Sequence, residues 1–192
     1  MSASSFASPD RPELTTLVSE LGPVLAAWVH LRLPKSLRGA VVVDDVVQEI
    51  WLRIVRIYAK SFRPERTSPR AWVFAVAKLV LLEVERQATS LLRHQPAPGG
   101  TSWQRSVGEL PADITSLTQK VARDERVHRF ITRVEELDDD DRRLLLFCGV
   151  EAMPQTEAAV RLGLTLDVTA KRWQRLRLRV REWGVAQDLL AS

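Results

Sequence analysis

The chain has 192 residues, 45% of them hydrophobic and 27% charged, with a formal net charge of +4 and a pI of about 9.7. That length allows one ordinary domain or two small ones, and the composition excludes global disorder. One cysteine, Cys148, excludes a disulfide framework, and the basic excess suits a polyanionic partner once its location is known.

Met1 to Arg11 has no basic stretch leading into an apolar core, and the longest apolar run, Ala71 to Leu82, is interrupted by Lys78 and too short to span a bilayer. No membrane insertion is expected, and the cytoplasm is the default location. Glycines are few, and apolar residues recur at three- and four-residue steps, so the expected fold class is all-α. The six tryptophans read as anchors of small cores.

The first helix is expected over Glu13 to Leu33, with Leu14, Leu17, Leu21, Val24, Leu25 and Trp28 on one side, a kink or break at Pro23, and a stop at Pro34. The second starts near Asp44. Val43, Val46, Val47, Ile50, Ile54 and Val55 form its apolar stripe. Asp45, Gln48, Glu49, Leu52 and Arg53 fall together on another face, which is expected to be exposed. Its carboxylates have no His or Cys beside them, so a solvated polar face is the default, and Leu52 among polar groups turns the reading toward a docking surface.

A loop from Lys60 to Pro69, rich in Arg and Pro, precedes a third helix that Ser68-Pro69 opens by hydroxyl cap and first-turn proline and that runs to about Gln87. Arg63, Arg66 and Arg70 beside Phe62 and Trp72 suit single-stranded nucleic acid, by charge and stacking. Trp72 itself is expected in the core.

Residues 94–113 hold three prolines and three glycines, which breaks helices and reads as a flexible linker. Two small helical domains are therefore expected, at 12–93 and 118–187, with 94–117 between them. In the second, one helix covers Arg123 to Leu137. Asp138 to Asp141 suits the start of the next, expected over Arg142 to Cys148. Pro154 opens another that ends at Gly163, and Thr165 caps the last, through Trp183.

The final pair reads as a helix-turn-helix with Gly163 at its turn. Leu166, Thr169, Trp173, Leu176 and Val180 share one face of its second helix, and Lys171, Arg172, Arg175 and Arg179 another. Between Arg161 and Arg181 there are seven basic residues and one acid, Asp167. A solvated basic face and a DNA-reading helix fit the spacing equally, and the tight turn and focused charge favour DNA. His30, His94 and His128 have no metal-ligand spacing, there is no phosphate-binding glycine loop, and Cys148 reads as a small buried residue. No catalytic residue, metal or cofactor is expected.

On these residues the sequence resembles the extracytoplasmic-function (ECF) group of bacterial sigma factors. Asp44-Asp45-Val46-Val47-Gln48-Glu49-Ile50-Trp51-Leu52-Arg53 is similar to the family's D-x-x-Q-E-x-F-L-R segment. Phe62 to Ala77 is similar to F-x-P-E-R-x-S-x-R-A-W-L-F-x-I-A. Glu157 to Thr165, with Arg172 and Arg175, resembles the domain that reads the −35 element. The resemblance implies a non-enzymatic subunit that binds core RNA polymerase through Asp45, Gln48, Glu49, Leu52 and Arg53. It implies −10 DNA contacts from Arg63, Arg66, Arg70 and Lys78, and −35 contacts from Thr169, Lys171, Arg172, Arg175 and Arg179. Core polymerase, promoter DNA and an anti-sigma factor are the implied partners. The alternatives are a helix-turn-helix regulator that never joins polymerase and a sigma-like adaptor that does not support initiation. Lys78-Leu79 stands where the family commonly has Arg-Asn, Pro154 where it has a hydroxyl cap, and Ala170 where a basic residue is frequent.

Overall fold

The structure, a computed structural model, describes residues 11–93, 110–112, 114–116, 124–184 and 190, and among these it is helical with no strand. Helix α1 spans Arg11–Arg32, α2 Val43–Ser61 and α3 Pro69–Arg93. Later in the chain come α4 (Glu125–Glu135), α5 (Asp139–Leu144), α6 (Gln155–Leu162) and α7 (Leu166–Arg181). The expected linker lies outside the described residues apart from 110–112 and 114–116, where a helical turn buries Ile114.

The apolar side expected for α1 is the one that packs: Leu14, Leu17, Leu21, Val24, Leu25 and Trp28 are all buried. Of the kink or break expected at Pro23, a break is excluded, since α1 continues through it. A proline inside a helix frees the carbonyl four residues back. Here that residue is Ser19, on the exposed side, where water can satisfy it, while Leu21, Val24 and Leu25 hold both flanks in the core. By length and hydropathy Glu13–Arg32 could cross a membrane, but most of it is buried inside the protein, as in a core helix. Val46, Val47, Ile50, Trp51 and Ile54 carry α2 into the same core. Ser68 opens α3 as expected, its Oγ accepting from the Ala71 N–H at 3.2 Å.

In the second half three of the four helix starts carry a side-chain cap, and α6, which follows Pro154, has none. The Asp124 carboxylate accepts from the Arg126 N–H, Asp138 from the Asp141 N–H at 2.9 Å, and Thr165 from the Val168 N–H at 3.3 Å. Gly163, at φ +67°, supplies the left-handed residue that ends α6. The helix expected over Arg142–Cys148 starts earlier, at Asp139, and passes into a wider π turn over Leu145–Val150. All six residues of that turn are buried. A segment buried on every side needs neighbours on every side, and here they come from both halves of the chain.

The two halves are packed together. Helix α1 lies against α4 and the π turn, and one hydrophobic cluster runs continuously from Leu14 to Val180. Of the tryptophans, Trp28, Trp51, Trp72 and Trp173 are buried and Trp183 is half-buried; Trp103 lies outside the described residues.

Candidate nucleic-acid interface

The basic surface lies on α7 and the end of α6. Arg161, Lys171, Arg175, Arg177, Arg179 and Arg181 are all exposed. Some are steadied locally: Lys171 pairs with Asp167 at 2.9 Å and Arg161 with Glu157 at 2.7 Å, both one helical turn apart. Asp141, Arg172, Arg175, Leu176 and Arg179 line a cleft of about 250 Å³.

Two of the expected −35 residues are placed otherwise. Thr169 is fully buried, and its hydroxyl donates to the Thr165 carbonyl at 2.9 Å; it belongs to the side of α7 that also buries Trp173, Leu176 and Val180. Arg172 is half-buried and donates to Asp141 (3.0 Å), Asp140 (3.0 Å) and Asp138 (3.1 Å) at the start of α5. The Asp141 N–H, with help from the Arg172 charge, holds the Asp138 carboxyl below its ordinary range despite the opposing cost of burial. The acidic run thus starts its own helix and also clamps α7 onto it.

The loop between α2 and α3 leaves Arg63 and Arg66 exposed, with Arg63 donating to the Phe62 carbonyl at 2.7 Å. Phe62 stacks on Tyr58 (ring centroids 5.1 Å apart, interplanar angle 19°) and tilts against Trp72, which is buried as expected. Beside them Glu13, Thr16, Leu17, Glu20, Tyr58, Ala59, Phe62, Pro64 and Pro69 line an open groove of about 620 Å³. Arg70 and Lys78 face elsewhere. The Arg70 Nε donates to the Val150 carbonyl at 2.7 Å, and burial lowers the Arg70 pKa to about 10, which leaves it charged at neutral pH. Lys78 Nζ lies 2.6 Å from Glu151 Oε2.

The face of α2 that was expected to be exposed is only partly so. Asp45, Gln48 and Arg53 are half-buried, but Glu49 and Leu52 are 4% and 5% exposed. A period-based reading puts Glu49 and Leu52 with their polar neighbours; in the fold they lie within the protein, and Glu49 Oε2 has no hydrogen-bond partner among the described residues. Arg53 reaches across to Glu83 of α3 at 2.9 Å.

One cluster has no counterpart in the sequence reading. The Glu151 carboxylate, 1% exposed, accepts from Trp28 Nε1 at 2.8 Å and from Arg32 at 3.0 Å, in addition to its pairing with Lys78. The available signal was a single acid placed directly after the apolar run Leu144–Val150. Among the described residues no group of His, Cys, Asp or Glu is arranged to hold a metal ion.

Residues 17–91, nearly the whole of α1–α3, match the sigma-70 region 2 family. Those three helices carry the sequence signature of a sigma-70 region 2. The matched segment contains both the Asp45–Arg53 face and the Arg63–Lys78 segment, and it ends before residue 94. Among solved structures, that of CnrH in complex with the cytosolic domain of CnrY is 23% identical over 94% of this chain and 93% of that chain, with a TM-score of 0.41. No curated protein matches the chain.

Proposed function

We propose that the chain is a sigma factor of the ECF group, which joins core RNA polymerase, directs it to specific promoters and stabilises opened DNA. The observation that carries this reading is the region 2 match over 17–91, with its basic loop at Arg63 and Arg66 turned to solvent beside the aromatic trio Tyr58, Phe62 and Trp72. Charge and stacking surfaces of that kind hold unpaired bases. The half-exposed residues of the Asp45–Arg53 face, Asp45, Gln48 and Arg53, are the proposed site for polymerase. The exposed basic residues of α7, with Arg175 and Arg179 lining a cleft, are the proposed −35 contacts.

The work of such a protein is recognition: it needs no cofactor or metal, acts in the cytoplasm beside polymerase, and takes an anti-sigma factor as its natural antagonist. Run-off transcription with core polymerase on genomic fragments, with start sites mapped, tests the reading. Discrete starts that share a common upstream sequence are the expected outcome, and no transcript from any fragment despite tight core binding is the opposite one. The burial of Thr169 and the three-aspartate clamp on Arg172 favour a second reading, a sigma-like adaptor that binds polymerase without reading a −35 element.

A further inference from the structure

Besides the Arg38–Glu135 and His30–Glu135 pairs nearer the surface of the seam, the polar contacts between the halves gather at the end of the π turn, chiefly on two consecutive residues. Val150 ends the π turn, and its carbonyl accepts from Arg70 of α3. Glu151 follows, and its carboxylate takes Trp28 and Arg32 of α1 and Lys78 of α3. Every donor belongs to region 2, and both acceptors belong to the turn that leads into α6. The residue after them, Ala152, sits at φ +55°, a left-handed backbone that a non-glycine residue seldom adopts, so the chain is strained just where it leaves the contact.

A carboxylate this deeply buried is tolerable only while its cations stay beside it. Parting the halves would return Glu151 to water and free Lys78, Arg32 and Arg70 together. The contact is therefore made or broken as a unit, which gives the packing of the halves two discrete states.

We propose that Val150 and Glu151 form a latch that shuts the carboxy-terminal half over the Arg70–Lys78 side of α3. The latch occupies those cations with protein oxygens and must open before that side of region 2 can hold DNA. The identity of the excluded ligand rests on the proposed function; the latch itself rests on the contacts alone. The latch carbonyl and carboxylate meet Arg70 and Lys78 as phosphate oxygens would, so closure and nucleic-acid binding compete for the same donors. Binding to a chain that is open only a small part of the time is weakened in proportion to that fraction.

The test uses the full chain as wild type and as Glu151→Gln, which keeps the shape of the side chain and removes its charge. Amide hydrogen exchange of residues 145–150 reports opening, and anisotropy of a fluorescent single-stranded oligonucleotide reports the exposed cations. In Glu151→Gln the amides of 145–150 are expected to lose protection about tenfold while those of α2 are unchanged, and oligonucleotide affinity is expected to rise by a similar factor. Unchanged protection overturns the latch. Opening without a gain in affinity removes α3 as a nucleic-acid surface, which is a failure of the proposed function and leaves the latch standing. If Glu151→Gln loses protection in α7 as well, the half has unfolded; Lys78→Met, which removes one partner from a partly exposed position, then takes its place, and unchanged protection of 145–150 there overturns the proposal.

Discussion

The indole N–H of Trp28 donates to the Glu151 carboxylate across 2.8 Å, tying the last turns of the first helix to a turn far along the chain. A hydrogen bond to a buried charged group contributes more than a neutral one. Trp28→Phe keeps an aromatic ring against Phe74, 5.6 Å away edge to face, and removes the donor. The expected cost is ~2 kcal/mol in urea-induced unfolding. Trp28→Phe together with Glu151→Gln should cost less than the two changes added separately, because the second no longer leaves a charge short of a donor.

Gly149 lies where the π turn meets α7. A Cβ there would come within 3.0 Å of Trp173 Cη2 and of Leu190 Cδ2, and within 3.1 Å of Leu145 Cδ1. Gly149→Ala is expected to destabilise by ~1–3 kcal/mol through overpacking. Thermal unfolding followed by circular dichroism measures it, and Gly39→Ala, where a Cβ would meet nothing within 4 Å, is the control.

Arg172 and Arg179 separate stability from DNA contact. Arg172→Ala leaves Asp138, Asp140 and Asp141 facing one another at the start of α5 with no cation between them, so it should lower the melting temperature as well as any DNA affinity. Arg179→Ala touches only exposed surface and should leave the melting temperature unchanged. If Arg179 meets a phosphate, the slope of log affinity against log salt falls by about one. Binding titrations at several salt concentrations, alongside melting curves, read both effects, and core-polymerase binding should be the same in both variants.

His30 gives the seam between the halves a dependence on pH. Burial, then the Arg38 charge, holds its pKa below 6.5, against the opposing pull of Glu135 3.9 Å away on α4. A base whose folded pKa lies below its unfolded value contributes stability above the unfolded value and loses it as the pH falls. Stability should therefore drop as the pH is lowered through and below 6.5, by less than the full shift implies, since the ring is about one-third exposed. His30→Gln should flatten that part of the profile, as measured by melting temperature between about pH 7.5 and about pH 5.5, which brackets the ordinary imidazole range.

The elements of the fold were legible because their signals are local. The i, i+3, i+4 spacing of α1 and α2, the Ser68-Pro69 start, the Asp138 cap and the Gly163 turn each depend on a handful of neighbouring residues, and each appears where its chemistry requires. Departures arise where a distant partner decides the outcome. Pro23 fails to break α1 because both flanks are packed. Glu49 and Leu52 share a helical face with polar residues and are covered all the same. Arg70, Lys78 and Arg172 were read as cations awaiting DNA, and the fold supplies each with protein oxygens from sequence-distant positions. Spacing identifies the charge a surface carries; it does not identify what neutralises that charge.

Cys148 draws one more consequence from the buried turn. Burial, with the nearby Glu151 charge, raises its thiol pKa to about 11, so at neutral pH it is an uncharged thiol enclosed between two helical bodies and inert to electrophiles. Alkylation must wait for the seam to gape. The labelling rate of this single thiol in the unaltered chain is thus a built-in clock for how often the molecule breathes, and whatever wedges the halves apart should make it tick faster.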